Sequence, residues 1–162
     1  MSDATPSVLP ASGRLAGIDY GTVRIGVAIS DPSQMLSSPL ENYNRGDLKA
    51  DERFFRRLVE EERLVGFVVG LPIHLDGSES QKSTEARTFG DWLQQLTNLP
   101  VVYYDERFTS LEAGRLLEGA RLTKKKRKQR LDKLAAQILL AGYLESSRRH
   151  EAAQGLDDRP SG

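Results

Sequence analysis

The chain has 162 residues, enough for one domain with a sizeable core. Lys plus Arg and Asp plus Glu number 23 each, so net charge singles out no partner. The absence of cysteine excludes disulfides and thiolate chemistry, and two histidines, His74 and His150, argue against a histidine-built zinc site. Any metal would then be held by oxygen, which is the chemistry of magnesium or manganese. The longest apolar run, around Val65 to Ile73, is too short to span a membrane, and the amino terminus lacks the basic-then-apolar pattern of a signal peptide. A cytoplasmic location and no membrane partner are expected.

Residues 1–13, rich in Ser, Pro and Ala, are expected to form a disordered tail, as are residues 151–162, leaving 14–150 as the domain. Leu15, Ala16 and Ile18 read as a first strand. Val23, Ile25, Val27 and Ile29 then alternate with Arg24, Gly26, Ala28 and Ser30, the pattern of a hairpin with one face toward a core. A third strand is expected near Leu36 to Tyr43. Asp51 to Arg63 reads as a charged helix with Phe54, Phe55, Leu58 and Val59 on its inner side. The unbroken apolar run Gly66 to Leu71, stopped by Pro72, is a central strand covered on both faces. Thr84 to Leu96 reads as a helix with Ala86, Phe89, Leu93 and Leu96 on one face, and Val101 to Tyr104 as a short buried strand. Ser110 to Ala120 and Leu131 to Ser146 complete the helices. A hairpin followed by strand–helix alternation implies an α/β fold with a mixed sheet, antiparallel at one side and parallel at the other. Function in such a sheet is expected at the carboxyl ends of the parallel strands.

Candidate chemistry gathers at those ends. Asp19 closes the first strand between Gly17 and Gly21, where glycine permits close approach by a metal or phosphate, although an ordinary Asp-Gly turn would use the same residues. Asp105 and Glu106 directly follow Val101 to Tyr104. One would ligate metal while the other caps the next helix, Glu106 having the longer reach, or both would be solvated loop acids with Arg107 pairing one of them. Asp132 stands near the start of the last helix, with Ala135 and Ala136 on its own face letting the axis approach the sheet, although a helix-starting Asp can be only a favourable charge at the positive helix end. Three carboxylates brought together repel one another unless divalent cations are bound, and two such ions about 4 Å apart can activate water for phosphodiester cleavage. Between Arg121 and Arg130, seven of ten residues are basic and none is acidic. Lys124, Lys125, Lys126, Arg127, Lys128 and Arg130 thus form a footprint for a phosphate backbone, or else a solvated loop. Leu71 to Ser80 is a candidate substrate loop in which His74 would serve a proton transfer or lie in solvent.

The ordered set resembles the YqgF/RuvX family of RNase H-like proteins. The matching segments are Gly17-Ile18-Asp19-Tyr20-Gly21 with Arg24-Ile25-Gly26-Val27-Ala28, Val69-Gly70-Leu71-Pro72 through Asp76-Gly77-Ser78, Asp105-Glu106-Arg107-Phe108-Thr109-Ser110, and the basic run leading into Asp132-Lys133-Leu134-Ala135-Ala136. The resemblance spans about residues 14 to 146. It implies a five-stranded RNase H-like sheet flanked by helices and a magnesium- or manganese-dependent nuclease. It also implies trimming of the 5′ end of precursor 16S ribosomal RNA, or alternatively cleavage of Holliday junctions. The implied catalytic and metal-holding set is Asp19, Glu106 and Asp132 with Asp105 in reserve. Arg24 and Arg107 join the basic run as nucleic-acid contacts. In RuvC-like relatives an acid ends the fourth strand, whereas here Gly70-Leu71-Pro72 stands there, so the second carboxylate would come from Asp105 or Glu106. A monomer or homodimer is expected, since a two-fold junction would call for a dimer. A sugar-kinase-type phosphotransferase would share the first hairpin but needs two domains around a nucleotide. A non-catalytic nucleic-acid-binding module would rest on the basic run alone.

Overall fold

The computed structural model describes residues 8–74, 76–106 and 134–148. Five strands form one sheet: β1 (Arg14–Asp19), β2 (Arg24–Ser30), β3 (Ser37–Asn44), β4 (Leu64–Leu71) and β5 (Val101–Asp105), in the order β3-β2-β1-β4-β5. β1, β2 and β3 pair antiparallel, while β1 with β4 and β4 with β5 are parallel. This is the mixed sheet the sequence implied.

Two helices follow the expected apolar faces but begin earlier than expected. α1 spans Leu48–Glu62 because the Asp47 side chain accepts from the Ala50 N–H at 2.8 Å. α2 spans Gln81–Thr97 because Ser80 caps the Ser83 N–H at 3.2 Å. In both cases the capping side chain satisfies a donor that the first turn leaves open, so the helix starts at the cap and not at the first apolar residue. On α1, Phe54, Phe55 and Leu58 are buried, and so is Asp51, which the apolar pattern did not flag. Residues 134–148 form a further helix, and its expected start at Leu131 falls outside the described residues, as does the helix expected over 110–120.

The sheet is covered on both faces. Ala16, Ile18, Phe67, Val69 and Leu71 face α1 and α2, packing on Phe54, Phe55, Phe89 and Leu93. Leu15 and Val68 face the helix at 134–148, packing with Ala136, Leu139, Leu140 and Leu144. That helix crosses β1 closely: a Cβ on Gly17 would come 2.8 Å from the Leu140 Cβ and 2.9 Å from the Ala136 carbonyl oxygen. Gly17 is therefore small for a helix, not for a ligand. Gly21 likewise meets protein, since a Cβ there would run into the Arg24 carbonyl of its own turn.

Two expectations need correction. The segment before β1 is not tail throughout, because Leu9 is buried in the second core and the Gln34 amide donates to the Pro10 and Gly13 carbonyls. β5 is half-buried apart from Val101, because among the described residues it borders only β4.

Candidate active site

The parallel strands deliver Asp19, Leu71 and Asp105 to one edge of the sheet. β4 lies between β1 and β5, so Asp19 and Glu106 spring from strands two spacings apart, about 10 Å. The Glu106 side chain closes that distance by lying across Gly70. A Cβ at Gly70 would stand 2.5 Å from Glu106 Oε1 and 3.1 Å from its Cγ, so the glycine leaves the space that the glutamate fills. Glu106 and Asp19 share a side-chain hydrogen bond. The strand end that lacks its own acid thus becomes the bed for an acid from the next strand.

Burial raises the Glu106 pKa above its ordinary value. The Asp105 carboxylate pushes the same way, while the hydrogen bond to Asp19 and the charge of Lys82 act against it. Two carboxyl groups in contact hold a proton between them, or a cation in its place. The donors are hard oxygens, as magnesium and manganese require. Among the described residues no group of three or more His, Cys, Asp or Glu is arranged to hold a metal.

The acid pair opens into a cleft of about 310 Å³ lined by Tyr20, Thr22, Pro72, Lys82 and Glu85 as well as Asp19 and Glu106. Lys82 was missed from sequence because α2 was expected to start at Thr84, which left residue 82 in a loop. The Ser80 cap places it in the first turn, at the mouth of the cleft. The loop from Pro72 to Ser80 is tied down by the Arg87–Glu79 ion pair and by the Asp76 carboxylate, which accepts from the Ser78 N–H at 2.9 Å. His74 contributes its backbone to that loop and does not line the cleft. Arg24 is exposed at the first residue of β2, and Asp105 is half-buried at the end of β5. Asp132, Arg107, Lys124, Lys125, Lys126, Arg127, Lys128 and Arg130 lie outside the described residues.

The helix at 134–148 carries information about the end it starts from. Leu139 lies over Gly70 near the carboxyl end of β4, and Arg148 donates to the Gln34 and Met35 carbonyls beside the turn that holds Gly13, at the amino end of β1. The helix therefore runs away from the acid edge. Gly70 also shares the sheet face on which this helix packs.

The RuvX family profile, described as Holliday junction resolvase, matches residues 13–146. The chain belongs to the RuvX family. One RuvX relative, from Rhodopirellula baltica and named "Putative pre-16S rRNA nuclease", is 51% identical over 154 residues, 94% of this chain and 89% of the relative. Another of the same name, from Koribacter versatilis, is 39% identical over 133 residues, 82% of this chain and 87% of that one. The fold is similar to that of Thermus thermophilus RuvC, solved in complex with a Holliday junction substrate. That likeness has a TM-score of 0.54 over 83% of this chain and 96% of that chain, at 13% identity, and concerns the fold alone. The RNase H-like architecture implied by the RuvX motifs is the one observed.

Proposed function

We propose that this RuvX-family chain is a magnesium- or manganese-dependent nuclease that trims the 5′ end of precursor 16S ribosomal RNA in the cytoplasm. The observation that carries the reading is the meeting of Asp19 and Glu106 over Gly70, two acids from separate strands held together at the carboxyl edge. Such a pair is costly unless a cation or proton joins it. Asp19 and Glu106 would hold the metal, with Asp105 beside them. The direction of the helix at 134–148 supports Asp132 as the third ligand, because that helix leads away from the acid edge. A divalent cation bound there supplies a more acidic water and stabilises the leaving oxygen of a phosphodiester. The chain's own contribution is to fix the acids by backbone packing, to narrow the approach between Tyr20 and Pro72, and to set Lys82 toward the phosphate. The names of the curated relatives support ribosomal RNA as the substrate. The family description supports junction DNA as the second reading.

The test incubates purified protein with precursor 16S RNA, duplex DNA and a four-way junction, with manganese or with EDTA. Specific 5′ trimming of the RNA that EDTA abolishes is expected. Cleavage of the junction alone would favour the second reading, and binding without cleavage would leave a non-catalytic module. Asp19→Asn should remove cleavage while binding is kept, since it deletes a ligand charge but little volume. Full activity of Asp19→Asn at saturating manganese would end the assignment of that residue.

A further inference from the structure

A second cleft, of about 450 Å³, adjoins the first and shares Tyr20 and Glu85 with it. Its size suits a small organic group. Its floor and wall are aromatic and rigid. Tyr20 stacks on Phe89 with centroids 5.0 Å apart, and Trp92 is wedged against Phe89 at 5.4 Å and Phe55 at 6.1 Å. The Arg45 guanidinium lies 5.4 Å from the Tyr20 centroid and donates to the Tyr20 hydroxyl at 3.2 Å. On the same face of α2 as Trp92 stand the hydroxyls of Thr84 and Thr88, which donate to helix carbonyls and so turn lone pairs outward as acceptors.

We propose that this cleft receives an unstacked nucleobase of a single-stranded substrate, next to the phosphate held at the acid pair. The proposal rests on the nuclease reading, because the two clefts have Tyr20 and Glu85 in common. The chemistry selects a base over a phosphate. Arg45 already faces the buried Asp51 carboxylate at 3.1 Å, and Glu85 adds negative charge to the lining. A flat, neutral ring fits what remains, since aromatic faces stack with any base and the hydroxyls accept from a ring or exocyclic N–H. Leu48, 62% exposed on the rim, gives an apolar edge for the same ring. Tyr20 links the two functions, because it follows Asp19 directly in the chain and lines both clefts.

Trp92 is the chain's single tryptophan, so its fluorescence reports on this cleft alone. The full-length protein in EDTA, which prevents cleavage, is titrated with a dye-labelled single-stranded oligoribonucleotide, reading the dye's anisotropy for binding and tryptophan emission for stacking. Emission should be quenched in step with binding. An abasic residue walked along the oligomer should weaken binding by about tenfold at one position and restore emission there, in keeping with the worth of one stacked base. A Thr84→Leu/Thr88→Leu variant narrows the cleft and removes its hydroxyl acceptors without adding a charge or a ring. It should lose the quench and the abasic sensitivity together. Binding with unchanged emission, uniform tolerance of abasic sites, or a narrowed variant that binds and cleaves like the parent would each overturn the base cleft. Those results are compatible with metal-dependent cleavage, so the nuclease reading stands apart from them. Conversely, quenching without cleavage of any substrate in manganese would keep the base cleft and remove the nuclease reading.

Discussion

Two buried or half-buried acids in this fold are treated in opposite ways. Asp51, 1% exposed on α1, accepts from the Tyr43 hydroxyl at 2.8 Å, the Arg45 Nε at 3.1 Å and the Gly46 N–H at 3.0 Å. Its charge is met by a guanidinium and its lone pairs by three donors. Glu106 instead lies against Asp19, with Asp105 adding a like charge and exposed Lys82 a cation that acts on it. The first arrangement is what burial of a charge demands for stability. The second keeps a carboxyl whose pKa is raised by burial and by a like charge, in the space that Gly70 leaves for it. The contrast separates an acid that builds the fold from acids proposed to hold a cation.

The comparison breaks first at Asp51. Asp51→Ala strands Arg45 and removes the partner of Tyr43 and Gly46, and should cost about 3–5 kcal/mol, read by urea or guanidinium unfolding. Asp19→Asn should instead leave stability close to the parent's, because the amide can still donate to Glu106. If the two variants destabilised alike, the acids at the strand ends would be structural and the contrast would be lost.

The next largest effect is expected at Gly70. Gly70→Ala puts a methyl where Glu106 Oε1 now lies, and the flexible end of that side chain can swing aside. Stability should change by about 1 kcal/mol or less, as for substitutions that displace a movable group. Cleavage should fall by about tenfold or more, corresponding to at least about 1.4 kcal/mol of transition-state stabilisation. Equal cleavage by Gly70→Ala and parent would show that the crossing of β4 by Glu106 is not needed.

Much of this was legible in the residues and some of it was not. The hairpin, the buried β4 and the inner faces of both helices follow from apolar spacing, because a period of two or 3.6 records which side meets the core. Asp19 and Glu106 were legible as acids at strand ends. Their gathering at one sheet edge was expected; the route was not, because it depends on strand order: only with β4 between β1 and β5 does a glycine at position 70 become room for a neighbour's side chain. Gly17 misled in the opposite sense, since a helix distant in sequence occupies the space that a ligand was expected to use. Asp51 was hidden because a buried acid inside a charged helix reads as surface until its partners on β3 and the following turn are placed.

Lys82 offers the finest test of the contrast, because it is a cation whose charge acts on Glu106 at the acid edge, as Arg45 acts on Asp51. It is exposed in the first turn of α2, so Lys82→Ala should leave unfolding within about 0.5 kcal/mol of the parent. Its loss removes a positive charge from the mouth of the cleft and, on the present reading, one phosphate contact. On single-stranded RNA one contact corresponds to about 0.7 in the slope of log affinity against log salt. The variant's slope should therefore be shallower by about that amount, with affinity lowered equally for all sequences. It should also remove a cation that opposes the raised pKa of Glu106, so the carboxyl should titrate higher still, readable by carbon-13 NMR of labelled glutamate. An unchanged salt slope together with a shifted Glu106 would confine Lys82 to the acids. A changed slope with Glu106 unmoved would assign it to the substrate.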